Sequence, residues 1–187
     1  MARPPSARRE RRRLTHVDRS GRPRMVDVSD KPATARRAVA EGLLRLEQET
    51  ISLIVDGGLA KGDVLTVAEL AGVLAGKRTS EIIPLAHPIP LTDLKVEVTP
   101  DRAAGGLRIR ASAATVAPTG VEMEALTAVA SAALAAYDMI KSVDRSAAIT
   151  DIRLLEKSGG RSGEWHRPAE PNRPAATSKA RRSAGRV

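Results

Sequence analysis

Leu94-Lys95-Val96-Glu97-Val98 and Leu107-Arg108-Ile109-Arg110-Ala111 each alternate apolar with polar or small residues, and Pro100, Asp101, Gly105 and Gly106 lie between them. Side chains on a strand point alternately to its two faces, so this stretch predicts a β-hairpin with one face buried. Upstream, Asp63 is placed to cap a helix running to about Lys77, with Val64, Val67, Ala68, Ala71, Leu74 and Ala75 on one stripe. A shorter helix over Glu47 to Val55 precedes it, with Ile51, Ile54 and Val55 at helical spacing and Gly57-Gly58 as its stop. Downstream, Leu126, Val129, Ala130, Ala133, Ala136, Tyr137 and Ile140 form the stripe of a long helix, and Thr119-x-x-Glu122 reads as a capping box at its start. Ile149 to Leu155 reads as a last strand and Met25 to Val28 as an early one, whereas Arg36 to Leu46 fits strand or helix equally. The order predicts an α+β sandwich with helices on one face of an antiparallel sheet.

The 187 residues suit one domain with tails. With no Phe, one Trp and one Tyr, the core must be packed from Ala, Val, Leu and Ile, and the stacking platform of a single-strand nucleic-acid binder is disfavoured. No cysteine is present, which excludes disulfides, thiolate zinc sites and cysteine nucleophiles. The net charge of +9 is unevenly distributed. Residues 1–24 carry +7, from nine Arg against Glu10 and Asp18, and residues 167–187 carry +5, from six Lys or Arg against Glu170. The remainder is therefore −3, and the basicity belongs to the ends.

Residues 1–13 and 167–187 read as disordered basic arms flanking a single domain over 14–166, since neither end has an apolar period with which to pack. Solvated extensions and weak RNA or membrane tethers both fit them. The Arg-rich start has no apolar h-region, and Ala125 to Tyr137, broken by Thr127 and Ser131, is too short to cross a bilayer. The expectation is a soluble, cytoplasmic protein.

No P-loop, G-x-G-x-x-G, G-x-S-x-G or H-E-x-x-H is present, and His16, His87 and His166 are far apart, so a His-rich metal site is not expected. What remains is a set of polar residues at element ends: Lys61, Lys77, His87, Glu122, Glu124, Asp138, Lys141, Asp144, Lys157 and Arg161. Cations beside carboxylates suit a substrate with several phosphates and a reaction that moves protons. Each also has a purely structural reading. Lys61 and Lys77 flank a helix, Glu122 is a capping acid, and Asp138 and Lys141 have the spacing of a surface ion pair. His87 sits in a proline-stiffened apolar run, and Lys157 opens a glycine-rich turn.

Thr15-His16-Val17-Asp18, Met25-Val26-Asp27-Val28-Ser29, Lys61-Gly62-Asp63-Val64, Lys77-Arg78-Thr79, Ile83-Pro84-Leu85-Ala86-His87-Pro88, Thr119 to Thr127, Tyr137-Asp138-Met139, Lys141-Ser142-Val143-Asp144 and Leu154 to Gly160 follow in order. Over residues 14–163 this series resembles the cyclic pyranopterin monophosphate synthase family, the molybdenum cofactor biosynthesis protein C group. The resemblance implies a ferredoxin-like sandwich and a homohexamer built as a trimer of dimers. It implies rearrangement of a cyclised dihydro-GTP to cyclic pyranopterin monophosphate with loss of pyrophosphate.

By the same resemblance Asp138 is the catalytic acid or base, with Lys141 beside it. Leu85, Ala86, His87, Met123 and Glu124 bind substrate, Lys61, Lys77, Lys157 and Arg36 hold its triphosphate end, and Glu122 belongs to the binding segment. Such proton transfers suit a partly buried Asp and a Lys of lowered pKa. No redox cofactor or metal site is required; Mg2+ on the substrate phosphates is compatible with the chemistry. The family commonly has Cys where this chain has Ala86, and because packing and backbone contact are the expected contributions there, little loss of activity is expected.

Helix geometry adds a further expectation. Glu124 and Asp138 are about 21 Å apart along one helix, and Lys61 and Lys77 about 24 Å apart along another. If all serve one small substrate, one subunit's helix end must meet the opposite end of another's.

Overall fold

The structure is a computed structural model that describes residues 17, 20–59 and 62–169. Its elements run β1 (Thr34–Arg45), α1 (Gln48–Val55), α2 (Val64–Lys77), α3 (Thr79–Ile82), β2 (Leu91–Asp101), β3 (Gly106–Ala117), α4 (Glu122–Ile140), β4 (Ala148–Ser158) and β5 (Trp165–His166). The strands form one sheet in the order β2-β3-β1-β4-β5, and every pairing is antiparallel. With α2 and α4 packed on one face, this is the expected α+β, ferredoxin-like sandwich.

The hairpin is β2 and β3, with Val96 opposite Ala111 and Val98 opposite Ile109, all buried. The ambiguous stretch at Arg36 is β1, the central strand between β3 and β4. Ala38, Ala40 and Leu44 face the helices, while Val39 and Leu43, on the other face, are also buried. Burial on both faces erases the period of two, which is why pattern alone left its type open. Where β4 runs along β1 the register shifts between Glu41 and Leu43, and Asp151 there takes a φ of 56°. That is a β-bulge.

The core is built from small residues. α2 and α4 lie antiparallel, with Ala68, Gly72 and Gly76 buried against a row that includes Ala128 and Ala132. A Cβ on Gly72 would come within 2.9 Å of the Ala128 carbonyl oxygen. Helices this close need no large side chains between them, which accounts for a core without phenylalanine.

The stripe expected on α2 requires correction. Val67 and Leu74 are 43% and 53% exposed, and the buried line is Val64, Ala68, Gly72 and Gly76. The two glycines score as weakly apolar, so the pattern drifted onto the larger neighbours; close approach chose the glycines. Leu70 is exposed as well.

Three further readings change. Met25 to Val28 is not a strand; the segment has no regular secondary structure, and its Val26 carbonyl lies 2.8 Å from His87 Nε2. The capping box does not form, because α4 begins after Val121, which puts Glu122 at the first helical position rather than the third. Finally, α4 is longer than the Ala125 to Tyr137 stretch. Its 19 residues are long and apolar enough to cross a membrane by length and composition, and just over half of its most apolar window is buried here against the sheet and α2.

α1 ends as the sequence suggests. Gly57, at φ 68°, and Gly58 donate to the carbonyls of Ile54 and Leu53, the paired bonds of a Schellman motif. Asp63 caps α2 by accepting from Thr66 N–H at 3.1 Å.

Candidate active site

One cavity of about 610 Å³ opens where the N-terminal end of α4, the end of β4 and the loops after α3 and β3 converge. Leu85, Ala86 and His87 line it, as do Glu122, Met123, Glu124, Arg36 and Lys157. Eight of the residues that the family resemblance implies for the site are thus brought together. Val26, Val28, Lys31, Thr119, Arg161 and Ser162 join them.

The lining is built by identifiable local structure. Arg36, near the start of β1, donates from Nε to the Ala117 carbonyl at 3.1 Å and from a terminal nitrogen to the Pro118 carbonyl at 3.2 Å. The turn after β4 closes directly over it: Gly160 has φ 69°, and a Cβ there would fall 1.9 Å from the guanidinium. Only glycine permits both that backbone shape and that approach. Lys157 Nζ lies 2.8 Å from Glu122 Oε1, with both side chains about a quarter exposed. The glycine-rich turn and the start of α4 are thereby joined. His87 Nε2 lies 2.8 Å from the Val26 carbonyl, and because a carbonyl only accepts, this nitrogen donates.

Glu124 is the most unusual lining residue. It is 4% exposed, and Oε2 is buried without a hydrogen-bond partner among the described residues. Burial, with a smaller push from the Glu122 charge, raises its carboxyl above the usual carboxylate range despite a bond from its own backbone N–H. A buried carboxyl with a free oxygen in a cavity is equipped to meet an N–H of a ligand.

Other expected residues lie elsewhere. Asp138 and Lys141 are at the far end of α4, about 21 Å along the axis from Glu124. Lys141 Nζ sits 2.5 Å from Asp138 Oδ1, and both side chains are more than half exposed. Asp138 is therefore not partly buried in the single chain. Nor is the Lys141 ammonium lowered: the hydrogen bond to Asp138, then its charge, hold it above the ordinary lysine value. Lys77 ends α2 beside the start of α4, where Gly76 packs on the Glu124 backbone, but it is exposed and does not line the cavity. Lys61 and His16 lie outside the described residues.

Lys31 was missed as a site residue, and its only signal was its position two residues after the Met25 to Ser29 motif. Thr119 was read as a cap but lines the cavity. Among the described residues, no three or more His, Asp or Glu side chains form a group able to hold a metal ion.

Comparison with known proteins agrees with this geometry. Residues 25–160 match the MoaC family. A protein of Thermomicrobium roseum named cyclic pyranopterin monophosphate synthase is 55% identical over 162 residues, covering 87% of this chain and 98% of its own. Proteins of the same name from Chloroflexus aurantiacus and Brucella ovis are 56% identical over 155 residues and 54% over 153. These cover 83% and 82% of this chain, and 95% and 93% of their own. A match spanning β1 to β4, α2, α4 and most of the residues that line the cavity shows that this chain belongs to the MoaC family.

Proposed function

We propose that the protein is a cyclic pyranopterin monophosphate synthase, an enzyme of molybdenum cofactor biosynthesis. Its substrate is a cyclised dihydro-GTP, which it rearranges to cyclic pyranopterin monophosphate with release of pyrophosphate. The observation that carries this reading is the cavity, where Arg36, Lys31, Lys157 and Arg161 share a wall with the buried, unpartnered carboxyl of Glu124. Such a site suits a ligand that is polyanionic at one end and has ring N–H groups at the other, and about 610 Å³ is room for a nucleotide.

As the phosphate ester cyclises, the bond to pyrophosphate breaks and negative charge builds on the leaving group. Fixed guanidinium and ammonium groups stabilise that charge more than the ground state. Opening and reclosing the purine ring needs proton transfers, which we assign to Asp138 and Lys141, while Glu124, Met123, His87, Leu85 and Ala86 hold the ring. Glu122 keeps Lys157 in place, and Lys61 and Lys77 complete the phosphate end. Any Mg2+ is carried on the substrate phosphates rather than by a protein ligand set.

A single chain cannot bring Asp138 to Glu124, so the site is composite, with Asp138 and Lys141 supplied by a second copy. Exposed Val67, Leu70 and Leu74 on α2 and Leu134 on α4 offer apolar surface for that contact. A cytoplasmic homohexamer, a trimer of dimers, is the assembly that goes with this reading.

Single-turnover incubation with the cyclised dihydro-GTP, following pyrophosphate and the pyranopterin, tests it. Wild type should form both products, and folded Asp138→Asn should be slower by about a thousandfold. Tight binding without turnover by assembled wild type would replace the enzyme with a nucleotide-binding protein.

A further inference from the structure

The turn between α4 and β4 carries Lys141 and then Asp144, a carboxylate that is 4% exposed. Backbone bonds tie this turn to the helix end: Val143 and Asp144 N–H both donate to the carbonyl of the fully buried Ile140, at 2.8 and 3.0 Å. The Asp144 side chain then reaches in two directions. Oδ2 accepts from Glu47 N–H at 2.9 Å, across 97 residues of sequence, and Oδ1 accepts from Ser146 N–H at 3.1 Å and its hydroxyl at 2.8 Å. The Thr50 hydroxyl also donates to this carboxylate.

Glu47 is the N-cap residue of α1, and its own side chain makes no capping bond. Asp144 supplies that cap from a distant element. Burial alone would push its carboxyl up, but the bonds from Glu47, Ser146 and Thr50 together outweigh it and hold the carboxyl below the usual range. An asparagine could accept at one oxygen only and would turn an amide NH2 toward a donor. The carboxylate is needed because two elements are gripped at once.

We propose that Asp144 is a positioning residue for the reaction: its carboxylate clamps the turn that carries Lys141 to the start of α1 and so holds the Lys141 ammonium against Asp138. This rests on the catalytic assignment of that pair. A group displaced by about 1 Å can lose a hundredfold in rate, so a clamp three residues from Lys141 has kinetic consequences that a mere stabilising contact lacks.

The test uses the full-length assembled protein and reads two quantities. The first is the titration of the Lys141 amine, followed by NMR of 13C-methylated lysines with Lys141→Arg to identify the signal. The second is the split between kcat and KM. In Asp144→Asn the Lys141 amine should titrate lower, toward an ordinary lysine, and kcat should fall roughly 10- to 100-fold with KM little changed. Ser146→Ala keeps the carboxylate and its bond to Glu47; it should show both changes in smaller measure, and it carries the test if the asparagine variant does not fold.

A folded Asp144→Asn protein with wild-type Lys141 titration and kcat, and only a lowered Tm, would overturn the proposal. So would a shifted titration with unchanged kcat while Asp138→Asn is inactive. If Asp138→Asn is itself active, the catalytic assignment fails, and the Lys141 titration still decides whether Asp144 positions that side chain.

Discussion

Glu124 shows how a buried carboxyl lining a cavity can oppose stability. Its carboxyl is raised by burial, so the folded protein binds a proton more readily there than the unfolded chain does. Stability from this group is complete below the ordinary glutamate range and declines as pH rises through the raised value. Replacing it with glutamine removes the ionisation. Thermal denaturation across pH should show Glu124→Gln unchanged or more stable than wild type above the glutamate range, with a flatter profile. Turnover should move the other way: loss of a hydrogen bond to a charged group should lower kcat/KM roughly 10- to 100-fold. A variant that lost stability at neutral pH and kept its activity would remove Glu124 from the site. Asp144 has the opposite sign: its carboxyl is lowered, so its contribution is present above the ordinary aspartate value and is lost only in acid, as pH falls through the lowered one.

Among the elements, α2 packs closely on α4 through small residues. Gly72 sits in the middle of a helix, where alanine would ordinarily be favoured by about 1 kcal/mol. Here the added methyl would meet the Ala128 backbone oxygen at 2.9 Å and Val96 Cγ1 at 3.0 Å. A backbone carbonyl cannot swing aside as a side-chain tip can, so the helices must part. Gly72→Ala is expected to destabilise by about 1–3 kcal/mol in denaturant unfolding, despite the gain in propensity. At an open helical position the same change would stabilise, so the sign of the effect tests the interhelical spacing directly. The start of α4 obeys similar logic. A Cβ at Gly120 would fall 1.9 Å from Glu122 Oε2, because that carboxylate turns back over the glycine and toward Lys157 rather than toward a capping bond.

For the whole molecule, the decisive quantity is the length of α4. With its N-terminal end in the cavity and Asp138 about 21 Å away, complementary damage should be repairable between chains. Asp138→Ala and Lys157→Ala proteins, each nearly inactive alone, should regain activity when mixed oligomers are formed by unfolding and reassembly, since Lys157 lines the cavity and Asp138 lies at the far end of α4. The measurement is turnover after separation of the mixed species. Correctly assembled mixtures that stay as inactive as their parents would place Asp138 and Lys157 in the same half of the site and end the composite model.

Much of this protein was legible as sequence. The hairpin alternation, the Asp63 cap, the Gly57-Gly58 stop and the strand at Ile149 to Leu155 depend on backbone geometry within a few residues, and each appears where those residues place it, although β5 follows what read as the last strand. The segments that line the cavity were legible too, as a series of motifs in order, and the fold brings Arg36, the Leu85 to His87 loop, the start of α4 and Lys157 together there. Tertiary structure decided what local pattern could not. It made β1 a strand buried on both faces, replaced the large residues of the α2 stripe by Gly72 and Gly76, and took Glu122 from its cap to pair with Lys157. It also drew Lys31 into the cavity wall and set Asp144 on the Glu47 amide. These outcomes depend on how closely distant segments approach one another. Sequence spacing governs which residues share a face, whereas packing distance governs which face is buried and which polar groups find each other.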